Sequence, residues 1–161
     1  MDADAVDAIT AQWNTERPDL DVTPMGIFGR ISRIAREMGD RMDQAYAPYG
    51  IARGEFDVLA TLRRAGTPYT LSPRQLSATA MVTTGGMTGR LDKLERAGLL
   101  RRSPDPHDRR GLQVTLTERG LALVDEAVRA GLETQFEALA ELTAEQRANL
   151  TELLRSLHTS L

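Results

Sequence analysis

The sequence predicts a mainly α-helical fold with one small β-hairpin, and three observations support this fold class. Apolar residues recur at helical spacing through most of the 161 residues, for example from Leu121 to Leu139. Residue pairs that favour helix starts, such as Thr23-Pro24, lie between these stretches. In Leu112–Leu116, by contrast, apolar and polar residues alternate, which is typical of a strand.

Three helices are predicted in the first part of the chain. The first spans residues 4–16 and carries an apolar face. The second runs from residue 23 to about residue 47 and starts with a capping Thr23 followed by Pro24 at the first helical position. The third spans about residues 53–65 and is followed by a glycine, which favours a helix end.

Two short helices and a hairpin follow. Ser72 and Gln75 form a capping box that starts a helix of about two turns. The next helix begins at Thr83 or Thr84 and runs to Ala97. The hairpin strands are predicted at Leu99–Arg102 and Leu112–Leu116. A helix pair followed by a hairpin is the winged variant of the helix-turn-helix motif.

Two further helices are predicted at the end of the chain. Thr117 caps a long one, and Thr143 and Gln146 form a capping box at the start of the other. Their apolar stripes are longer than a small hairpin domain can cover, which predicts a homodimer with a large apolar interface. We therefore expect one integrated domain in three parts: an N-terminal extension helix and a dimerisation helix in residues 1–49, a winged helix-turn-helix in 50–118, and dimerisation helices in 119–161.

The composition argues against several classes of protein. The chain has no cysteine, so disulfides and thiolate metal sites are excluded. Its two histidines, His107 and His158, lie far apart in the sequence, so no catalytic cluster, metal site or cofactor is expected. The acidic first residues do not resemble a signal peptide, and no apolar run reaches the ~18 residues of a membrane span. We expect a cytoplasmic protein without membrane contact.

The charge distribution favours a polyanionic partner, although the net charge is −3. Residues 25–120 are net basic, and the segments on either side are acidic. A basic middle between acidic ends is typical of a protein that presents one face to phosphate. A scatter of solvated charges is the alternative interpretation.

The start of the second helix of the pair is the predicted DNA-reading segment. In winged helix-turn-helix proteins this helix enters the major groove of double-stranded DNA, and its first turn meets bases and phosphates. Small side chains allow close approach, amides can bind phosphate, and Arg90 can reach a guanine edge. The expected contacts, including two from the preceding helix, are Ser72, Arg74, Thr83, Thr84, Gly85, Gly86, Met87, Thr88 and Arg90. A glycine-rich loop without a role in binding is the alternative interpretation. A loop that binds nucleotide phosphates is disfavoured, because the sequence pattern of such a loop is absent.

The hairpin tip is the second predicted DNA contact. Arg109 and Arg110 are adjacent there, and paired cations at a tip suit the negative potential of the minor groove. Asp108 is expected to orient one of them through a charge-assisted hydrogen bond. A solvated turn is the alternative.

Three stretches within residues 50–120 resemble the multiple antibiotic resistance regulator (MarR) family. They are residues 54–59, residues 91–100, and residues 105–110 with their continuation to Gly120. The flanking helices are similar to the dimerisation helices of that family. The resemblance implies an obligate homodimer on a pseudo-palindromic site, usually acting as a repressor that a small ligand releases.

The N-terminal extension resembles the branch of the family that includes PecS-type and urate-responsive regulators. That resemblance implies ligand contacts from Trp13, Asp57 and Arg90, and also from Arg64 and Arg102. An indole can stack on a flat purine, and arginine can pair with an anionic ligand. A ligand that changed Asp57–Arg90 pairing would move the DNA-reading helix. Salicylate-type aromatic acids are the alternative ligand class. Without a role in ligand binding, Trp13 would pack the first helix against the core, and Asp57 and Arg64 would form an ordinary surface pair.

Two other functions compete with that of a DNA-binding regulator. An enzyme is disfavoured because no cluster of catalytic residues is present. A winged-helix protein-interaction module without DNA binding remains an alternative, but such a module should lack Arg109 and Arg110, which this chain has.

Overall fold

A computed structural model describes residues 3–79, 86–106 and 111–161 of the chain. Within these ranges it contains seven α-helices and one small β-sheet, so the predicted fold class is confirmed. The helices are α1 (Ala5–Glu16), α2 (Thr23–Tyr46), α3 (Arg53–Arg64), α4 (Pro73–Thr79), α5 (Met87–Arg96), α6 (Glu118–Ala138) and α7 (Ala144–Thr159), and a short 3-10 helix, Ala47–Tyr49, follows α2. The strands are β1 (Thr70–Leu71), β2 (Leu100–Pro104) and β3 (Leu112–Leu116).

The chain divides into two compact units, Met1–Arg41 and Met42–Leu161. In the first unit, the Arg30 guanidinium binds two carboxylates at the start of α1. Its Nε lies 2.9 Å from Asp4 Oδ2, and its Nη2 lies 2.5 Å from Asp7 Oδ1. Asp4 also caps α1 by accepting a hydrogen bond from the Asp7 amide. One arginine therefore joins α2 to the capped end of α1.

The core of the second unit surrounds α3. Val58, Leu59 and Leu62 of this helix are fully buried. The neighbouring elements contribute other fully buried apolar side chains: Leu76 of α4, Leu94 of α5, Leu100 and Val114 of the sheet, and Val124 of α6. Burial of one such side chain stabilises the folded state by about 1.5–3 kcal/mol. The contacts with α3 therefore hold these neighbouring elements together.

The sheet has three antiparallel strands rather than the two predicted. Its order is β1-β3-β2, with Thr70 paired to Thr115. The prediction missed β1 because a strand of two residues is too short to show an alternating pattern. The structure also places β2 at Leu100–Pro104 rather than Leu99–Arg102.

The helix α5 begins later than predicted. We expected its start at Thr83 or Thr84, which lie outside the described residues, but the helix starts at Met87 with Gly86 as its N-cap. Gly86 has a φ of 81°, a left-handed conformation that glycine adopts at little cost. This glycine is therefore the N-cap of α5 and does not lie in its interior.

The first turn of α6 lies against the strand region so closely that only glycine fits there. A Cβ on Gly120 would lie 1.9 Å from the backbone oxygen of Leu99. The Thr117 hydroxyl accepts a hydrogen bond from the Gly120 amide and donates one to the carbonyl of Gly98. The predicted Thr117 cap is confirmed, and it also connects α6 to the end of α5.

The end of α2 that belongs to the second unit packs on α6 through Tyr46. The Tyr46 ring stacks on Phe56 at a centroid distance of 4.2 Å. A Cβ on Gly131 of α6 would lie 2.6 Å from the Tyr46 hydroxyl. Burial raises the pKa of Tyr46 to about 12, so the phenol stays neutral even at a pH near its ordinary pKa of 10.

The substitution Gly120→Ala is expected to lower the free energy of unfolding by about 2 kcal/mol or more, because the new methyl group meets rigid backbone. Urea unfolding at fixed protein concentration measures this loss. Gly89→Ala is the matched control, since a Cβ there meets no atom within 4 Å. It should gain about 0.5–1 kcal/mol from higher helix propensity. A Gly120→Ala protein as stable as wild type would contradict the close approach.

Candidate nucleic-acid interface

The helix pair begins with the capping box that the sequence predicts. The Ser72 amide donates to Gln75 Oε1 at 2.8 Å, and the Gln75 amide donates to Ser72 Oγ at 3.2 Å. This reciprocal pair fixes the first turn of α4. Arg74, also in this turn, is exposed to solvent. The cap therefore presents a cation at the start of the first helix of the pair.

The first turn of α5 separates a buried residue from exposed ones. Met87 is 8% exposed and belongs to the core, together with Leu91 and Leu94 of the same helix. Thr88 and Gly89 are exposed. A DNA contact by Met87 would require this side chain to leave the core, so we remove Met87 from the set of expected contacts.

Arg90 lies across the start of α3. A Cβ on Gly54 would lie 2.7 Å from Arg90 Nε and 3.0 Å from its Cζ. The absence of a side chain at residue 54 therefore makes the space that the guanidinium occupies. One turn further along α3 comes Asp57, whose side chain is buried at 5% exposure. Residues three apart share a helix face, so Arg90 lies on the face of α3 that carries Asp57.

A second cation of α5 also reaches α3. Lys93 Nζ lies 2.8 Å from Glu55 Oε1, and Glu55 is only 7% exposed. The same carboxylate accepts a hydrogen bond of 2.9 Å from the Ala52 amide at the cap of α3. Two partners thus compensate the burial of this charge, as a buried carboxylate requires.

Arg102 of β2 binds two carboxylates of α5. Its Nε and Nη2 donate to Glu95 Oε2 at 2.8 and 2.6 Å, and Nη2 also lies 2.6 Å from Asp92 Oδ1. The Arg102 amide donates to the other Glu95 oxygen at 2.8 Å. We call Asp92, Glu95 and Arg102 the helix–strand clamp. Hydrogen bonds from Arg102 lower the pKa of the Glu95 carboxyl below its ordinary value.

Arg64 lies at the end of α3 and reaches the end of α4. Its Nη2 donates to the carbonyl oxygen of Thr79. A cation at a helix C-terminus satisfies an unpaired carbonyl and favours the helix dipole. Asp57 is buried, so it is not a surface residue, and an Asp57–Arg64 pair stays a prediction.

Several predicted contact residues lie outside the described residues. They are Thr83, Thr84 and Gly85 before α5, and Asp108, Arg109 and Arg110 between β2 and β3. Trp13 lies on α1 in the first unit and is 42% exposed. The structure therefore brings Arg90 to α3 and Arg102 to α5, and the roles of the other predicted residues stay predictions.

Comparison with known proteins decides the family. A model described as MarR family matches residues 49–111. The transcriptional regulator PecS of Dickeya dadantii is 41% identical over 149 residues, which cover 92% of this chain and 90% of PecS. The chain belongs to the MarR family. The resemblance expected from the sequence is confirmed, and the protein is a winged-helix transcriptional regulator.

Solved structures of the MarR family share this fold. A mutant MarR from E. coli complexed with operator DNA has a TM-score of 0.73 and 27% identity, covering 90% of this chain and 96% of that one. BpsR of Bordetella bronchiseptica, whose DNA binding is regulated by 6-hydroxynicotinic acid, has a TM-score of 0.73 and 26% identity. That match covers 82% of this chain and 92% of BpsR.

Two negative findings apply to the described part of this MarR-family chain. None of the helices in residues 3–79, 86–106 and 111–161 has the length and apolar character of a membrane span. The same ranges contain no group of three or more His, Asp or Glu side chains arranged to hold a metal ion.

The sequence interpretation missed the residues that hold α5 in place. Gly54, Glu55 and Lys93 had no assigned role, and neither did Asp92 and Glu95. One signal could have revealed part of the clamp: Glu95 and Arg102 have opposite charges and lie on either side of the turn at Gly98. The other contacts join α3 to α5 across a long sequence separation, and no local pattern reports them.

Gly54→Ala is expected to weaken DNA binding by roughly tenfold, equal to about 1.4 kcal/mol, because the methyl group displaces the Arg90 guanidinium. The free energy of unfolding should stay within about 1 kcal/mol of wild type, since the flexible arginine can move and alanine favours helix. Fluorescence anisotropy with labelled duplex and urea unfolding measure the two quantities. Unchanged affinity in the variant would show that the position of Arg90 does not matter for binding.

Proposed function

We propose that this MarR-family protein is a homodimeric repressor that binds a pseudo-palindromic operator and is released by a small anionic aromatic ligand. One observation carries the proposal: α5 presents the exposed Thr88 and Gly89 in its first turn, while contacts with α3 and β2 fix its other sides. A small, exposed first turn on a firmly held helix suits the major groove.

The relative bound to operator DNA supports the same assignment. MarR of E. coli shares the fold and has been solved with its operator. By analogy, α5 enters the major groove, and the segment between β2 and β3, with Arg109 and Arg110, enters the minor groove. The remaining candidates from the sequence are Ser72, Arg74, Thr83, Thr84, Gly85, Gly86, Thr88, Arg90 and Asp108. Binding to chromosomal DNA implies a cytoplasmic location and requires no enzymatic activity or cofactor.

Exposed apolar side chains on the last two helices support the homodimer. They are Leu132 and Phe136 of α6 and Leu150, Leu153 and Leu154 of α7. Large apolar side chains in such a group usually cover a partner surface. A second copy of the chain would bury them and would place two α5 helices for the two halves of an operator about 34–36 Å apart.

The ligand class rests on chemistry and on a relative. Arg90 belongs to α5 and lies against the face of α3 that carries Asp57. An anion that paired with Arg90 would therefore act on α5 directly. The DNA binding of BpsR is regulated by 6-hydroxynicotinic acid, an aromatic acid. Purines such as urate and acids such as salicylate share this flat anionic character. At Arg102 and Arg64 a ligand would have to displace their present protein partners.

Arg110→Ala is expected to weaken binding to DNA from upstream of the protein's own gene by roughly tenfold, or about 1.4 kcal/mol. The dependence of the logarithm of the binding constant on the logarithm of salt concentration should flatten by about 0.9 for each phosphate that the variant no longer neutralises. Anisotropy titrations at several salt concentrations measure both effects.

Arg17→Ala is the matched control, because it removes an exposed arginine that pairs with Asp19 outside the predicted DNA-binding segment. Its affinity and salt dependence should equal those of wild type. Wild-type affinity that does not depend on salt would contradict DNA binding and favour a protein-interaction module instead.

Urate is expected to reduce operator affinity and to change the fluorescence of Trp13, which is the only tryptophan in the chain. The physical reason for the lower affinity is that an anion at Arg90 competes with the contacts that hold α5. The emission of Trp13 reports separately whether the ligand acts on the indole. Parallel titrations with salicylate and 6-hydroxynicotinate, each followed by fluorescence and anisotropy, identify the preferred class.

Asp57→Asn and Trp13→Phe separate the roles in that response. Asp57→Asn should alter the ligand concentration needed for release, and Trp13→Phe should remove the optical signal. If none of the three compounds changes the operator affinity or the Trp13 emission at millimolar concentration, the proposed ligand class is wrong. That result would not contradict the proposed DNA binding.

A further inference from the structure

We propose that the helix–strand clamp of Asp92, Glu95 and Arg102 is a positioning device that sets where the hairpin tip meets DNA relative to α5. The proposal rests on the DNA binding proposed above. In this role the three residues affect DNA binding without contacting the DNA themselves.

The clamp joins the two elements that are expected to read DNA. Asp92 and Glu95 lie three residues apart on α5 and therefore on one face of this helix. Arg102 is the third residue of β2, and its guanidinium reaches both carboxylates. Both the donor and the acceptors are charged, which strengthens these hydrogen bonds. The planar guanidinium of Arg102 can make them only in a narrow range of orientations.

The backbone is also held at this point. The Arg102 amide donates to Glu95 Oε1, so the carboxylate binds both the main chain and the side chain of one strand residue. A bond to a side chain alone would leave the strand free to slide. The bond to the amide fixes the register of β2 against α5.

The strands transmit this position toward the tip. β2 and β3 pair in register from Leu100–Leu116 to Pro104–Leu112, and the Asp105 amide donates to the Gly111 carbonyl at 2.9 Å. In the sequence, Arg109 and Arg110 lie between these two residues. A paired ribbon that is fixed to α5 at Arg102 holds its described end, Asp105 and Gly111, at a defined distance and angle from the helix.

Apolar packing alone would not fix this angle. The face of α5 that packs in the core carries three buried residues, Met87, Leu91 and Leu94. Apolar contacts do not depend strongly on direction, and so they set depth more firmly than rotation. The clamp supplies the directional contact on the strand side of α5.

A double-mutant cycle in the full chain tests the proposal. The first variant is Arg110→Ala, and the second is Glu95→Gln combined with Arg102→Gln, which breaks the clamp without changing the net charge. Each should weaken operator binding by roughly tenfold. If the clamp acts by placing the tip, the combined variant should bind within about twofold of the clamp variant, because the misplaced tip already fails to reach the DNA.

The matched control is Arg17→Gln combined with Asp19→Asn. This ion pair also has two guanidinium hydrogen bonds, with Nε–Oδ1 and Nη2–Oδ2 distances of 2.8 and 2.7 Å, and it lies in the first unit. Its loss is also neutral in charge and should leave affinity unchanged. Arg102→Lys provides a second clamp variant for the cycle if the double substitution does not fold, since an ammonium group cannot reproduce the fork.

Hydroxyl-radical footprinting adds a readout that a purely structural role would not change. The clamp variant should lose protection in the minor groove and retain methylation protection of guanines in the major groove. The proposal is wrong if the loss of affinity in the combined variant equals the product of the two separate losses within about twofold. It is also wrong if the clamp variant binds the operator like wild type. A wild-type protein that does not bind operator DNA would overturn the proposed function and this inference together.

Discussion

Charged contacts on two sides of α5 fix its orientation, while its three buried apolar residues hold it against the core. Lys93 binds the buried Glu55 at the start of α3, and Glu95 binds Arg102 of β2. Both contacts are directional hydrogen bonds between opposite charges, so they restrict rotation as well as distance. The exposed first turn, which includes Thr88, is therefore presented by a helix that is fixed from both sides.

The start of α3 is the point where several of these constraints meet. Glu55 caps its own helix through the Ala52 amide while it binds Lys93. The neighbouring Gly54 leaves the space that Arg90 fills, and Asp57 is buried one turn further along. A ligand that changed the charge balance here would act on α5 without any large movement of the core. This arrangement gives a physical reason why one short helical turn could connect ligand binding to DNA binding.

The parts of the fold that were predictable from the sequence depend on local interactions. The capping boxes at Ser72 and Thr143 and the cap at Thr117 each involve residues three apart, so a short window contains the whole interaction. The strand β1 and the start of α5 were not predicted, because two residues show no period and because the φ of Gly86 is a backbone property. The contacts of Glu55 with Lys93 and of Gly54 with Arg90 join distant segments, so only the folded structure reveals them.

The most direct test of this account is a crystal structure of the protein bound to a duplex that carries its operator. We predict that α5 lies in the major groove, with Arg102 still hydrogen-bonded to Glu95 and Lys93 still bonded to Glu55. A complex in which α5 faces away from DNA, or in which Arg102 leaves Glu95 to bind a phosphate, would contradict the account.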